Sequence, residues 1–181
     1  MEKSDIKAFI TETISIIVIA VALSLILRYF VIEARIIPSE SMVPTLKISD
    51  RVLVNRFIYF FKDPQRGDIV IFDPPPSLHR DEMFIKRVIG LPGETVEMKD
   101  GKVFINGKAL NEPYAVPLNY TYGPVTVPQD SLLVLGDNRN ASYDSHQWNA
   151  WLTRDRIKGK AMAIFWPVGR ASLLERGVSF Q

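Results

Sequence analysis

Two serines, Ser39 and Ser41, stand in "IPSESMVPTL" (37–46) between Pro38 and Pro44. A serine hydroxyl is a weak nucleophile until a base takes its proton. The flanking prolines restrict the backbone on both sides and suit a fixed presentation of Ser41. Two kinds of base are available. His146 lies in "DSHQW" with Asp144 two residues before it, so a Ser41–His146–Asp144 triad is one arrangement. The other histidine, His79, sits in the charged stretch "PPPSLHRDEM" and reads as a solvated loop residue. The second kind is Lys86, inside the apolar run "FIKRVIG" (84–90). On a strand Phe84, Lys86 and Val88 share one face, and Ile85, Arg87 and Ile89 the other. The ordinary reading exposes one cation and lets the other snorkel. The chemical reading buries Lys86, because burial disfavours the ammonium and lowers its pKa toward a working base. Arg87 cannot serve, since a guanidinium keeps its proton. A third stretch, "GDNRNASYDSH" (136–146), packs Asp137, Asn138, Arg139, Ser142, Asp144 and Ser145 into one loop after a hydrophobic run. Such a set of hydrogen-bonding side chains either orients a lysine or holds a turn.

These residues need elements to position them. The chain has 181 residues, a formal charge of +2 and no cysteine. Disulfides, thiolate catalysis and thiolate metal sites are excluded. Two histidines rule out a three-histidine metal centre, so neither metal nor cofactor is expected. Basic residues are not clustered, which speaks against nucleic acid as a partner. From Ala8 to Ile32 the only charges are Glu12 and Arg28, and "TISIIVIAVALSLIL" (13–27) carries none. With "RYFVI" the stretch approaches the roughly 20 apolar residues of a spanning helix, and no small-x-small cleavage site follows it. An uncleaved membrane anchor is expected. Counting Lys and Arg on its two sides does not choose an orientation.

After the anchor the chain reads as mainly β. Runs rich in Val, Ile and Phe recur between turn residues: "RVLVN" (51–55), "DIVIF" (68–72), "FIKRVIG" (84–90), "ETVEM" (94–98), "KVFIN" (102–106), "LLVLG" (132–136) and "AMAIFW" (161–166). Asp100-Gly101 and Asn106-Gly107 mark tight hairpin turns. "DPPPS" (73–77) and the proline-rich 111–131 read as loops. The expected division is an anchor over 1–34 and a β-rich catalytic domain over 35–181.

Together the stretches resemble the type I signal peptidases, membrane-bound serine proteases that remove signal peptides from exported proteins. "SMVPTL" resembles the nucleophile box, "RGDIVIF" the following strand, "KRVIGLPGE" the lysine box and "GDNRNASYDS" the last box, in the family's order and behind an N-terminal anchor. The resemblance implies a serine–lysine dyad, with Ser41 as nucleophile and Lys86 as general base. It implies an oxyanion hole from the Ser41 N–H and the Ser39 hydroxyl, support of the lysine by Ser142 and Asp144, and small-residue pockets walled by Ile37, Met42, Phe84 and Ile85. Preprotein signal peptides would be the substrates, and membrane lipids and the export machinery the partners. The catalytic domain would lie on the export side of a cell or thylakoid membrane. The chain departs from the family in two places. Glu40 stands where many members have glycine, and the last box ends in His146 rather than arginine. The histidine form resembles members from photosynthetic lineages, which implies a cyanobacterial or plastid type.

Three rivals fit less well. A self-cleaving repressor with a similar dyad would carry a DNA-binding region in place of the apolar segment. A β-lactamase would need a lysine three residues after Ser41, and Pro44 stands there. An inactive membrane-anchored β-module binding peptides or lipids would not need Lys86. "FIYFF" (57–61) is an expected bilayer contact or, equally, ordinary core.

Overall fold

The computed structural model describes residues 3–26 and 31–180. The chain opens with α1 (Lys3–Ile26) and continues as thirteen strands. They are β1 (Ile32–Ile36), β2 (Arg51–Asn55), β3 (Ile69–Phe72), β4 (Phe84–Gly90), β5 (Thr95–Lys99), β6 (Lys102–Ile105), β7 (Lys108–Asn111), β8 (Tyr122–Thr126), β9 (Ser131–Leu135), β10 (Leu152–Thr153), β11 (Ile157–Trp166), β12 (Ser172–Leu173) and β13 (Ser179–Phe180). The large sheet runs β1-β2-β11-β3-β4-β9-β10 with β12 on β11, and the small one β13-β7-β6-β5-β8.

The central strands explain their own sequences. β3, β4 and β9 are buried on both faces, so their apolar residues do not alternate with polar ones, and β4 buries two cations as well. In β3, Ile69 and Ile71 enter one core with Ile37, Met42, Leu46 and Ile85, while Val70 and Phe72 enter another with Val88, Val134 and Trp148. A third core, around Val96, Met98, Val103, Ile105, Leu133 and Leu135, joins the small sheet to β9. The two hairpin turns take the expected form. Asp100 and Gly101 have φ of 51° and 76°, and Asn106 and Gly107 50° and 79°, the double positive φ of a type I′ turn.

One expectation needs correcting, and a second is met only in part. Residues 111–131 are not all loop, because β8 pairs with β5 there. Its Gly-Pro centre hid it, yet β8 is an edge strand, the place where a missing N–H is tolerated. The apolar segment does form a helix, but among the described residues no helix is long and apolar enough to cross a membrane. The sequence places Asp5, Lys7 and Glu12 in its first half. The uncharged remainder, Thr13–Ile26, is about 21 Å long at 1.5 Å per residue, short of a hydrocarbon core of roughly 30 Å. Leu27 and, of the expected extension "RYFVI" (28–32), residues 28–30 lie outside the described residues.

Arg87 ties the elements around the site together. It lies on β4 opposite Leu135 of β9, the last residue before the Gly136–His146 loop. Its Nε and Nη2 donate to Asp137 Oδ1 and Oδ2 at 2.8 and 2.7 Å. Its Nη1 donates to the carbonyls of Gly67, Glu175 and Arg176 at 3.0–3.1 Å. Thr45 Oγ1 donates to the same Asp137 carboxylate at 2.5 Å, and the Tyr114 ring lies 3.7 Å from the guanidinium carbon. Arg87 is 1% exposed and Asp137 0%. Arg87→Met would leave the Asp137 carboxylate buried without its cation. Urea unfolding should then register a loss of about 3–5 kcal/mol. Lys108→Met, at an exposed position, should stay within about 0.5 kcal/mol of the parent.

Candidate active site

Three segments converge on one cleft of about 520 Å³, lined by Pro38–Ser41, Arg80, Glu82–Lys86, Ala141 and Tyr143. The first is the turn after β1. Its ends are closed by hydrogen bonds from Ile37 N to Asp50 O and from Ser49 N to Ile37 O, both 2.9 Å. Arg170 clamps the same turn through Asp50 (Nε–Oδ1 3.0 Å, Nη2–Oδ2 2.8 Å). That guanidinium holds the Asp50 carboxyl below the usual carboxylate range. Within the turn, Ser39 Oγ and Ser41 Oγ lie 3.3 Å apart. Among the described residues the Ser41 N–H has no hydrogen-bond partner, whereas its carbonyl accepts from Asn138 N at 3.0 Å.

The second segment is β4. Both of its cations are buried, Lys86 at 5% and Arg87 at 1% exposure, so neither is the exposed residue of the ordinary reading. Lys86 Nζ donates to Ser142 Oγ at 2.5 Å and lies 3.1 Å from Asp144 Oδ1. Burial pushes the Lys86 pKa below the ordinary lysine value, and the Asp144 and Asp137 carboxylates oppose that shift only in part. Lys86 makes no direct hydrogen bond to Ser41; its ammonium is drawn to the carboxylate instead.

The third segment is the loop leaving β9. Asp144 is fully buried. Its Oδ1 accepts from Ser142 Oγ at 2.5 Å and its Oδ2 from Gly136 N at 2.9 Å. Gly136 makes this packing possible, since a Cβ there would overlap Ser142 Oγ and the Ser41 carbonyl. The turn, the loop and Lys86 are therefore held in contact across a residue without a side chain.

His146 takes no part in this network. Its ring stacks on Tyr120 with centroids 4.4 Å apart and meets the edge of Tyr122 at 5.8 Å. Its Nδ1 is buried without a partner, as is Tyr120 Oη. Burial lowers its pKa, with Asp144 opposing, so the imidazole is neutral at pH 7. It forms neither a triad with Ser41 nor an ion pair with Asp144, whose oxygens are taken. His79 is exposed.

Of the expected pocket residues, Phe84 and Ile85 line the cleft. Ile37 and Met42 do not. They are 2% and 0% exposed in the core beneath it, because both point inward from a turn that presents its serines outward. Sequence reasoning missed Tyr143 and Arg80, which line the cleft together with the guanidinium carbon 5.8 Å from the ring centroid. Tyr143 stood in the last box between two quoted polar residues, and nothing in its spacing set it apart. No group of acidic or histidine side chains suited to a metal occurs among the described residues.

Comparison with known proteins gives the lineage. Residues 10–166 match the family described as signal peptidase, peptidase S26. A signal peptidase I of Leptolyngbya laminosa is 53% identical over 88% of this chain and 81% of its own length. A probable signal peptidase I-2 of Synechocystis is 52% identical over 87% of this chain and 73% of its own. The chloroplastic thylakoidal processing peptidase 1 of Arabidopsis thaliana is 40% identical over 84% of this chain, which spans 47% of that longer protein. The chain is thus a serine peptidase hydrolase and belongs to the signal peptidase family, peptidase S26.

Proposed function

We propose that the chain removes signal peptides from exported preproteins by a Ser41/Lys86 dyad. The observation that carries this reading is a desolvated lysine in the same cleft as Ser41, its ammonium tied to Ser142 and Asp144. With its proton lost, Lys86 is no longer drawn to Asp144 and can accept the Ser41 proton. Ser41 Oγ then attacks the scissile carbonyl, and the developing oxyanion meets the Ser41 N–H and the Ser39 hydroxyl. Lys86 passes the proton to the leaving amine. Water, deprotonated by the same lysine, hydrolyses the acyl-enzyme. Phe84 and Ile85 form apolar walls that admit small side chains, discriminating by about 1–3 kcal/mol per methylene.

Residues 1–34 serve as the anchor in this proposal, and 35–181 as the catalytic domain on the export side of a cell or thylakoid membrane. The support is surface chemistry. Phe9, Ile14, Ile16, Val18 and Leu25 of α1 are 55–68% exposed, covered by no other described part of the chain. Phe60 and Phe61 are 76% and 73% exposed beside Phe57 at 41%, and exposed apolar patches of this kind mark contact surfaces. The domain would rest on the bilayer through these phenylalanines. In inside-out vesicles, whose cytoplasmic face is outward, the domain should be protected from added protease. Digestion there would contradict export-side placement.

Ser41→Ala and Lys86→Ala should each abolish cleavage of a preprotein, and more than a few per cent activity in Lys86→Ala would remove the dyad. Ser39→Ala should retain activity lowered about 10²–10³-fold, the usual cost of one oxyanion donor. Gly136→Ala should be inactive at wild-type concentration, because the loop cannot close on Ser41.

The pH profile separates the two possible bases. A base works only when deprotonated. Activity carried by Lys86 therefore rises through a pKa that burial lowers from the ordinary lysine value of 10.5. Activity carried by His146 would rise below its ordinary 6.5, since burial lowers that pKa. The alkaline limb should survive His146→Arg, measured as kcat/KM from pH 5 to 10.

A further inference from the structure

The segment 112–121, between β7 and β8, lies along the Gly136–His146 loop and bonds to it repeatedly. Val116 N donates to Asp137 O at 2.9 Å. Asn140 Nδ2 donates to Pro117 O at 2.9 Å, and Asn119 N to Asn140 Oδ1 at 3.0 Å. Tyr120 carries the His146 ring. At the head of the segment Glu112 meets Arg139 in a two-pronged pair, Nη2–Oε1 2.7 Å and Nη1–Oε2 3.1 Å, with side chains 7% and 2% exposed. Tyr114 Oη donates to the same Glu112 carboxylate at 2.8 Å.

This pair is joined to the lysine by hydrogen bonds that meet on the two sides of Gly136. Arg139 Nε donates to Gly136 O at 3.0 Å. The Gly136 N–H donates to Asp144 Oδ2 at 2.9 Å. The other oxygen of Asp144 faces Ser142 Oγ and Lys86 Nζ. A two-pronged carboxylate fixes the plane of a guanidinium as well as its charge. The guanidinium holds the Gly136 carbonyl, and the N–H of the same residue, on the neighbouring peptide one Cα away, fixes the rotation of Asp144. We propose that Glu112 is a positioning residue for Lys86, acting through Arg139, Gly136 and Asp144. It thereby makes the small sheet part of the catalytic apparatus. The proposal rests on the reading of Lys86 as the base.

Loss of the Glu112 charge acts on Lys86 with one sign by two routes. It leaves Arg139 as an uncompensated cation near Asp144, which disfavours a second cation at Lys86. It also frees Asp144 to turn away, which weakens support of the ammonium. Both favour the neutral amine, so the alkaline limb of the rate profile moves to lower pH even as the rate falls. The charged or titratable groups around this network are Arg87 on β4, Asp137, Arg139, Tyr143, Asp144 and His146 on the loop, Glu112, Tyr114 and Tyr120 on the segment, Glu40 on the serine turn, and Arg80 and Glu82 on the cleft wall before β4. His146 is already neutral there, Tyr120 is pushed up to about 12 and Tyr114 is also raised, both by burial. None of the three titrates within the limb.

The test is the pH profile of kcat and KM for a signal-peptide substrate in Glu112→Gln, with native circular dichroism confirming the fold. Tyr114→Phe, which deletes one donor to Glu112, is the milder second variant should Glu112→Gln fold poorly. Expected for Glu112→Gln is a kcat about tenfold lower, the scale on which outer partners act, with KM within about twofold. Its limb should move down by at least about 0.3 pH unit. Tyr114→Phe should shift in the same direction by less. A profile merely scaled down with its limb in place, or one unchanged, overturns the proposal. Lys86→Ala is measured alongside. If it stays active, the base assignment fails; if it is inactive while Glu112→Gln leaves the limb unmoved, only the positioning role fails.

Discussion

A guanidinium buried to 1% exposure must be met by acceptors on every side, because it cannot shed its proton. Arg87 meets that demand with both oxygens of Asp137 and three backbone carbonyls, from residues 67, 175 and 176. These partners come from distant parts of the chain. The pair therefore fixes β4, the loop after β9 and the C-terminal stretch relative to one another. Thr45 extends the arrangement to the serine turn by donating to Asp137. The Lys86 strand, the loop that carries Ser142 and Asp144, and the serine turn all meet at this ion pair, and its full set of acceptors offsets the cost of burying it. Removing one partner strands the other charge.

The neighbouring residue on the same strand is treated in the opposite way. Lys86 has one carboxylate oxygen and one hydroxyl, and both are already shared between Ser142 and Asp144. Its burial is nearly as complete as that of Arg87, yet its compensation is much poorer. Desolvation therefore outweighs the carboxylates and lowers its pKa. Strand alternation sends the two side chains to opposite faces, so adjacent cations receive opposite fates. One remains charged and structural, and the other becomes titratable. Gly136 stands where the two environments meet, and its missing side chain lets Ser41, Ser142 and Asp144 close around the lysine.

Much of this was legible in the sequence. "RVLVN" and "FIKRVIG" coincide with β2 and β4 because runs rich in Val, Ile and Phe stood between turn residues. Asp-Gly and Asn-Gly placed the hairpin turns through their tolerance of positive φ. β8 was hidden because Gly123 and Pro124 are poor strand residues, and only an edge position accommodates them. In the site, the order of the boxes named the participants, but strand spacing could not say which cation is compensated. That depends on carbonyls from 67, 175 and 176, which no local pattern announces. Glu112 was likewise invisible, a lone acid in a proline-rich stretch whose partner lies 27 positions away. His146 looked like a pairing partner for Asp144 by proximity in sequence, whereas packing against Tyr120 and Tyr122 turned it aside.

The most direct measurement is an NMR titration of Lys86 itself. With lysine Cε labelled and the Lys86 signal assigned by its loss in Lys86→Arg, the Cε shift should titrate below the ordinary lysine value of 10.5. A Lys86 signal that titrates at or above 10.5 would contradict the uncompensated burial on which the base depends.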